Sequence, residues 1–341
     1  MKEKIGFTST IPIEILFAAN KKPVDLNNIF ITANDPLEYI DLAENIGFPR
    51  NYCSWIKGLC GVIIKHKIKK IIGIIQGDCT DTHSLLEVMS TFNIEVIPFS
   101  YPYNKDKKLL QKEITNLMKK FNVNWNELYN THKKIAEVRN NVYKLDDMSY
   151  SKNSINSIKS RDLHKWHVST SDFFSDYNKY SKELNKYLKN IEPNKNNYLK
   201  IGYIGIPPII TDLYDYIDSL NAKVIFNEVQ RQFSFPYLRN RKINSRNFKN
   251  NYISQFLNYT YPYDVFTRLK DIKTEIKKRG LKGIIHYVQS FCHRQADDII
   301  FRKELDVPIL TLEEDRPGKI SARSKIRIEA FLNIIRKEDR G

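Results

Sequence analysis

Residues 71–76 (Ile-Ile-Gly-Ile-Ile-Gln) form a nearly continuous apolar run, the pattern of a strand covered on both faces. Such strands belong to parallel sheets, whose crossovers place helices on either side. The flanking sequence supplies those crossovers. Residues 53–66 and 83–92 have helical spacing, and 94–99 are again strand-like. Residues 4–9 are a short strand candidate, followed by Pro12 and a helical run over 13–20; residues 28–32 are a further apolar, β-branched run.

The same rhythm returns after a break. Residues 106–197 are rich in Lys, Asn and Ser, with helical periodicity over 109–121, 125–143 and 172–188, and 191–197 (containing Pro193) read as a linker. Then come a strand at 200–206, a helix at 210–220, strands at 223–226 and 283–289, a helix at 297–304, a strand at 307–312 and a helix at 321–337. The halves resemble each other. Lys4-Ile5-Gly6-Phe7 before Pro12 parallels Lys200-Ile201-Gly202-Tyr203 before Pro207. In each half an apolar strand leads to a cysteine, a helix and another strand. The expected fold is α/β, with two Rossmann-like or flavodoxin-like parallel-sheet lobes and a helical middle segment. The expected divisions are 1–105, 106–197 and 198–341.

Among 341 residues, 41% are apolar and 28% charged, enough for sizeable cores. Four cysteines exclude a disulfide-built scaffold. No apolar run approaches the roughly 20 residues of a membrane helix, and the N-terminal residues lack a signal-peptide core. The chain therefore reads as cytoplasmic with reduced thiols. Its formal net charge is +16, and residues 231–282 carry 13 basic against 3 acidic residues, with Phe233, Phe235, Tyr237, Phe248 and Tyr252 interleaved. A nucleic-acid surface would look like this. No nucleic-acid-binding motif accompanies it, so only charge supports that reading; an acidic partner or a phosphate-bearing substrate fits equally well.

Cys79 and Cys292 each fall at the carboxyl end of a strand, before a helix, the edge where open parallel sheets bind ligands. Cys53 precedes its own helix. Helix N-termini favour thiolates, the form that ligates metals. Cys60 lies seven residues beyond Cys53 on one helix, about 10.5 Å along its axis, which suits packing; a fourth ligand is the alternative. The spacings match no zinc finger and no ferredoxin run. All-thiolate coordination suits iron–sulfur chemistry or zinc, and three thiolates on a four-iron cubane would leave one iron open.

The contexts Asn51-Tyr52-Cys53-Ser54-Trp55-Ile56-Lys57, Gly77-Asp78-Cys79-Thr80-Asp81-Thr82 and His286-Tyr287-Val288-Gln289-Ser290-Phe291-Cys292 stand out, with the tail Val307-Pro308-Ile309-Leu310-Thr311-Leu312-Glu313-Glu314-Asp315, then Arg323 and Arg327-Ile328-Glu329-Ala330-Phe331. Together they make the chain, from Ile5 to Phe331, resemble the 2-hydroxyacyl-CoA dehydratase D-component family. That family includes benzoyl-CoA reductase subunits and double-cubane cluster proteins. The resemblance implies two α/β lobes with a Cys-bound iron–sulfur cluster, a [4Fe-4S] centre or alternatively an [8Fe-9S] double cubane, on Cys53, Cys79 and Cys292. It implies a homo- or heterodimer with a related subunit. It also implies an ATP-dependent activator of the actin-like fold that carries its own [4Fe-4S] cluster and injects a low-potential electron. In dehydratases that electron makes a ketyl radical of a 2-hydroxyacyl-CoA, which then loses water.

On this reading the chain is a dehydratase (lyase) or reductase (oxidoreductase) subunit acting on an acyl-CoA or other small molecule at an open iron. The competing reading is an iron–sulfur electron or cluster donor that activates another enzyme. His286 is a candidate proton donor near the cluster, or else a core histidine. Arg294 and Gln295 are candidates to approach cluster or substrate. Asp78, Asp81 and His83 flank Cys79, where helix capping is their simplest role.

Overall fold

A computed structural model of the chain describes residues 2–151, 158–192, 197–233 and 243–338. The first sheet joins β1 (Lys4–Phe7), β2 (Lys22–Asp25), β3 (Lys70–Gln76) and β4 (Glu95–Ser100) in the order β2-β1-β3-β4. The second joins β5 (Leu199–Gly205), β6 (Ala222–Asn227), β7 (Gly283–Gln289) and β8 (Ile309–Glu314) in the order β6-β5-β7-β8. Every pairing is parallel. The two orders are the same, so β1 corresponds to β5 and β3 to β7, and the likeness of the halves is one of topology. In each sheet the switch point lies between the carboxyl ends of the two central strands, where parallel sheets open a crevice.

The chain divides into two compact units. One comprises Met1–Asn141, Ser169–Glu183 and Gln232–Asp264; the other comprises Val142–Val168, Leu184–Arg231 and Val265–Gly341. Residues 106–197 are thus shared out between them. In the first unit Ile71, Ile72 and Ile74 of β3 are buried, and Gly73 lies against Leu86 of the helix Thr80–Thr91. The helix Ser54–Lys65 crosses Leu37–Asn45 so closely that a Cβ on Gly61 would fall 2.0 Å from the Tyr39 carbonyl oxygen. A buried carboxylate, Glu14, accepts hydrogen bonds from Arg139 (2.5 Å), Tyr252 (3.0 Å) and His132 (3.2 Å) and ties distant parts of this unit together. In the second unit Ile204, Phe226, Ile284 and Phe301 share a core with Leu269 and Ile272 of the helix Val265–Arg279.

Two local readings change. Residues 28–32 do not form a strand; they lie mostly within the helix Leu26–Ile31, whose N-cap Asp25 accepts the Asn27 N–H (2.9 Å). The strand is β2, which ends at Asp25, before that run begins. It escapes sequence reading because it is four residues long and carries Lys22 and Pro23, and an edge position tolerates that proline. The helix Ser160–Val168 is also unforeseen, whereas Lys107–Lys120, Trp125–Tyr150 and Tyr177–Lys189 match the helical middle. Residues 193–196 of the expected linker, and Phe235 and Tyr237 of the basic run, lie outside the described residues. Among those residues no helix is long and apolar enough to cross a membrane.

Candidate functional site

Three cysteines share one backbone setting. Cys53 is the N-cap of the helix Ser54–Lys65, Cys79 the N-cap of the helix Thr80–Thr91, and Cys292 the N-cap of a 3-10 turn, His293–Ala296, that leads into the helix Asp297–Glu304. Cys79 follows β3 and Cys292 follows β7, the equivalent central strand, each three residues past the strand's last residue. At such a position backbone N–H groups point toward the sulfur, the arrangement that receives negative charge.

In the first unit the Cys53 segment is anchored from several sides. Lys57 is buried, and its ammonium donates to the Arg50 carbonyl oxygen and to Glu44 Oε1, both at 2.8 Å. Trp55 Nε1 donates to Asn27 Oδ1 (2.8 Å), and Asn27 Nδ2 donates to the Thr8 carbonyl oxygen (3.0 Å), just past β1. Cys79 Sγ lies 3.5 Å from Thr82 Oγ1, and the Cys79 N–H donates to Asp78 Oδ1 (2.8 Å). Asp78 thus plays a turn-stabilising part, and His83 is exposed. The Tyr52 hydroxyl bonds with Ser84 and Asp81 of the helix that Cys79 opens, so the segments bearing Cys53 and Cys79 meet.

In the second unit the Cys292 N–H donates to the Gln289 carbonyl oxygen (3.0 Å), and the Gln295 N–H to the Cys292 carbonyl oxygen (3.1 Å). The preceding Phe291 has φ +66° and is 66% exposed. Arg294 reaches toward Asp297, with 3.7 Å between Nη1 and Oδ2. Gln295 Nε2 donates back to the Gln289 carbonyl oxygen (3.4 Å).

The thiols do not behave as the helix N-termini alone would dictate. Burial pushes the Cys53 thiol up to about 12, against the opposing N–H groups of Ile56 and Trp55. Cys79 and Cys292 also rise, again mainly by burial; Arg294 pulls Cys292 the other way. Loss of water costs a thiolate more than a few amides return. Cys60 is fully buried within its helix, and only burial shifts its thiol, up to about 12. These are the surroundings of a packing residue.

His286, in the middle of β7, is 1% exposed; its Nδ1 faces Asp298 Oδ1 (3.0 Å) and its ring edge meets Phe301. Asp298 also accepts from Thr311 (2.6 Å) and Arg302 (2.6 Å). The histidine therefore sits inside the layer between sheet and helix. Within either unit, among the described residues, no three His, Cys, Asp or Glu side chains are grouped to hold a metal ion.

The basic run is divided: Arg246, Lys249, Lys270, Lys277, Lys278 and Lys282 are exposed, but three of its arginines turn inward. Arg231, Arg268 and Arg279 are buried. Arg231 pairs with Asp271; Arg279 with Asp146 (2.6 and 2.9 Å) and Glu275 (2.5 Å); Arg268 with Glu228 and Asp297. Charge counted along a sequence does not reveal which cations turn inward. Lys57 and Tyr52, which fix the segment bearing Cys53, were likewise invisible as such, because their partners Glu44, Asp81 and Ser84 lie outside the segment itself.

No curated protein matches the chain. The family model described as 2-hydroxyglutaryl-CoA dehydratase, D-component, matches residues 8–335, a span that contains all three N-capping cysteines and every described strand except β1. By that match the chain belongs to the 2-hydroxyglutaryl-CoA dehydratase D-component family.

Proposed function

We propose that this 2-hydroxyacyl-CoA dehydratase-like subunit is an iron–sulfur redox enzyme component whose cluster ligands are Cys53, Cys79 and Cys292. The observation that carries the reading is the common placement of those cysteines: each caps a helix or turn, two of them after equivalent strands of two sheets of one order. The donor set fits the group, because three half-buried or buried thiols with backbone N–H groups aimed at them can stabilise the negative charge of thiolate ligands.

When bound, a [4Fe-4S] cluster on three thiolates supplies one-electron reduction with one iron open to substrate. The chain's part is to hold, orient and shield. Lys57 and Trp55 fix the Cys53 segment, and Tyr52 links it to the helix behind Cys79. Arg294, two residues past Cys292, brings a cation to meet an anionic group such as a carboxylate or a phosphate. His286 supports β7 through Asp298. An ATP-hydrolysing, actin-like-fold activator supplies the electrons, and a second copy or a related subunit completes a dimer. Reduction of a small molecule, or electron donation to another enzyme, is the second use to which the same ligand set lends itself.

Iron analysis after anaerobic expression tests the reading. The protein should be brown with about four irons per chain. Cys79→Ser and Cys292→Ser should lose the iron and Cys60→Ser keep most of it. A full iron complement in Cys292→Ser would defeat the ligand assignment. Turnover of an acyl-CoA with an added activator would separate the enzyme from the electron donor.

A further inference from the structure

Arg268 is fully buried on the helix Val265–Arg279. Its Nε and Nη2 donate to the two oxygens of Glu228 (2.7 and 2.8 Å), a fork of charge-assisted bonds. Its third bond runs elsewhere: Nη1 donates to Asp297 Oδ2 at 2.5 Å. Glu228 in turn accepts the N–H of Gly205, the last residue of β5, at 3.1 Å. An unbroken chain of bonds therefore joins the carboxyl end of β5 to the first residue of the helix that follows the Cys292 turn. Phe301 covers the guanidinium at 5.1 Å from its ring centroid.

Such an arrangement is an expensive way to fill space, since apolar residues of similar volume stabilise a core as well or better. What an ion chain adds is a fixed distance and direction. The element at its far end needs one. The His293–Ala296 turn is a single 3-10 turn, a weak structure by itself. It is entered through Phe291 in a left-handed conformation that a large side chain adopts only at a cost.

We infer that Arg268 is the positioning residue for the Cys292 turn, tethering it through Asp297 to the end of β5. This rests on the proposed role of Cys292 as a cluster ligand, but the tether itself is measurable in iron-free protein. Asp297→Asn takes the charge from the link and so weakens it, while leaving the Arg268–Glu228 pair in place. Amide hydrogen exchange of the full chain should then be about tenfold faster over residues 290–296, with residues 77–82 unchanged. Asp297→Glu, which keeps the carboxylate, should restore most of the protection. If Asp297→Asn does not fold, Arg268→Lys tests the tether from its other end, because an ammonium keeps the charge but cannot bond Glu228 in a fork and Asp297 at once. Unaltered exchange over 290–296, or an equal rise over 77–82, would overturn the inference. The ligand role of Cys292 is judged separately, by the iron content of Cys292→Ser, so the tether can stand while that role falls.

Discussion

Cys79 and Cys292 follow corresponding strands, yet the two units hold them by different means. After β3 the turn is held by shape. Gly77 has φ +97°, and a Cβ there would come within 3.0 Å of Pro262 and of Tyr101. After β7 the turn is held by charge, through Glu228, Arg268 and Asp297. Topology thus decides where a cysteine of this kind stands, and local sequence decides what keeps it there. The two solutions should fail differently. Arg268→Met leaves Glu228 buried without its cation and should cost about 3–5 kcal/mol of stability. The paired change Arg268→Met with Glu228→Leu should recover most of that loss. Gly77→Ala forces an unfavourable φ and a tight contact and should cost about 2 kcal/mol in its own unit. Denaturant midpoints give the totals, and segment-resolved amide exchange assigns each loss to a unit. A double variant no better than Arg268→Met would refute the charge-based account of the second turn.

The sequence made part of this visible and hid the rest. The apolar runs of β3 and β7 announced parallel strands because burial on both faces leaves a continuous signal, and the cysteines after them were legible by position alone. β2 was hidden by its length and by Pro23. The basic stretch misled in a more instructive way: Arg231, Arg268 and Arg279 read as surface cations, and each has a carboxylate partner in the interior. Arg279 has one partner, Glu275, a turn away on its own helix, but Asp146, Glu228 and Asp271, which draw these arginines inward, lie 40 or more residues off, beyond any local window. His286 was ambiguous for the same reason until Asp298, twelve residues on, was seen beside it.

The units also differ in how protons act on them, with opposite sign. In the first, Asp172 is buried beside Asp25, and burial together with that second carboxylate raises it from 3.8 to about 7; Asn28 and the N–H groups of Asp25 and Phe174 face it and pull the other way. Between roughly pH 4 and 7 the folded state keeps a proton that the unfolded chain has released, so this contribution to stability is complete at low pH and is lost as pH rises to 7. In the second unit burial lowers His164 to about 3 and His167 to about 4; Asp146 opposes the shift at His167, while Arg279 and Arg231 add to it. There the unfolded chain takes up protons first, so stability is complete above about pH 6.5 and is lost as pH falls toward 4. Each effect should be on the order of 4 kcal/mol or more across this pH range. Amide exchange measured from pH 4 to 7 and corrected for intrinsic rates should show the first unit loosening as the second tightens. Asp172→Asn should flatten the first trend and leave the second. Parallel trends in both units would contradict this assignment.

The smallest expected effect concerns the entry to the charge-held turn. Phe291 lies in the left-handed region, two-thirds exposed, directly before Cys292. Because its ring buries little, removing it forfeits little packing, whereas glycine adopts that backbone freely. Phe291→Gly should therefore stabilise the second unit, by about 1 kcal/mol, less the extra freedom glycine gives the unfolded chain. Phe291→Ala keeps the backbone cost and should change stability by less than half as much. If both variants are destabilised alike, the ring itself supports the turn, and the contrast between a turn held by shape and one held by charge becomes a matter of degree.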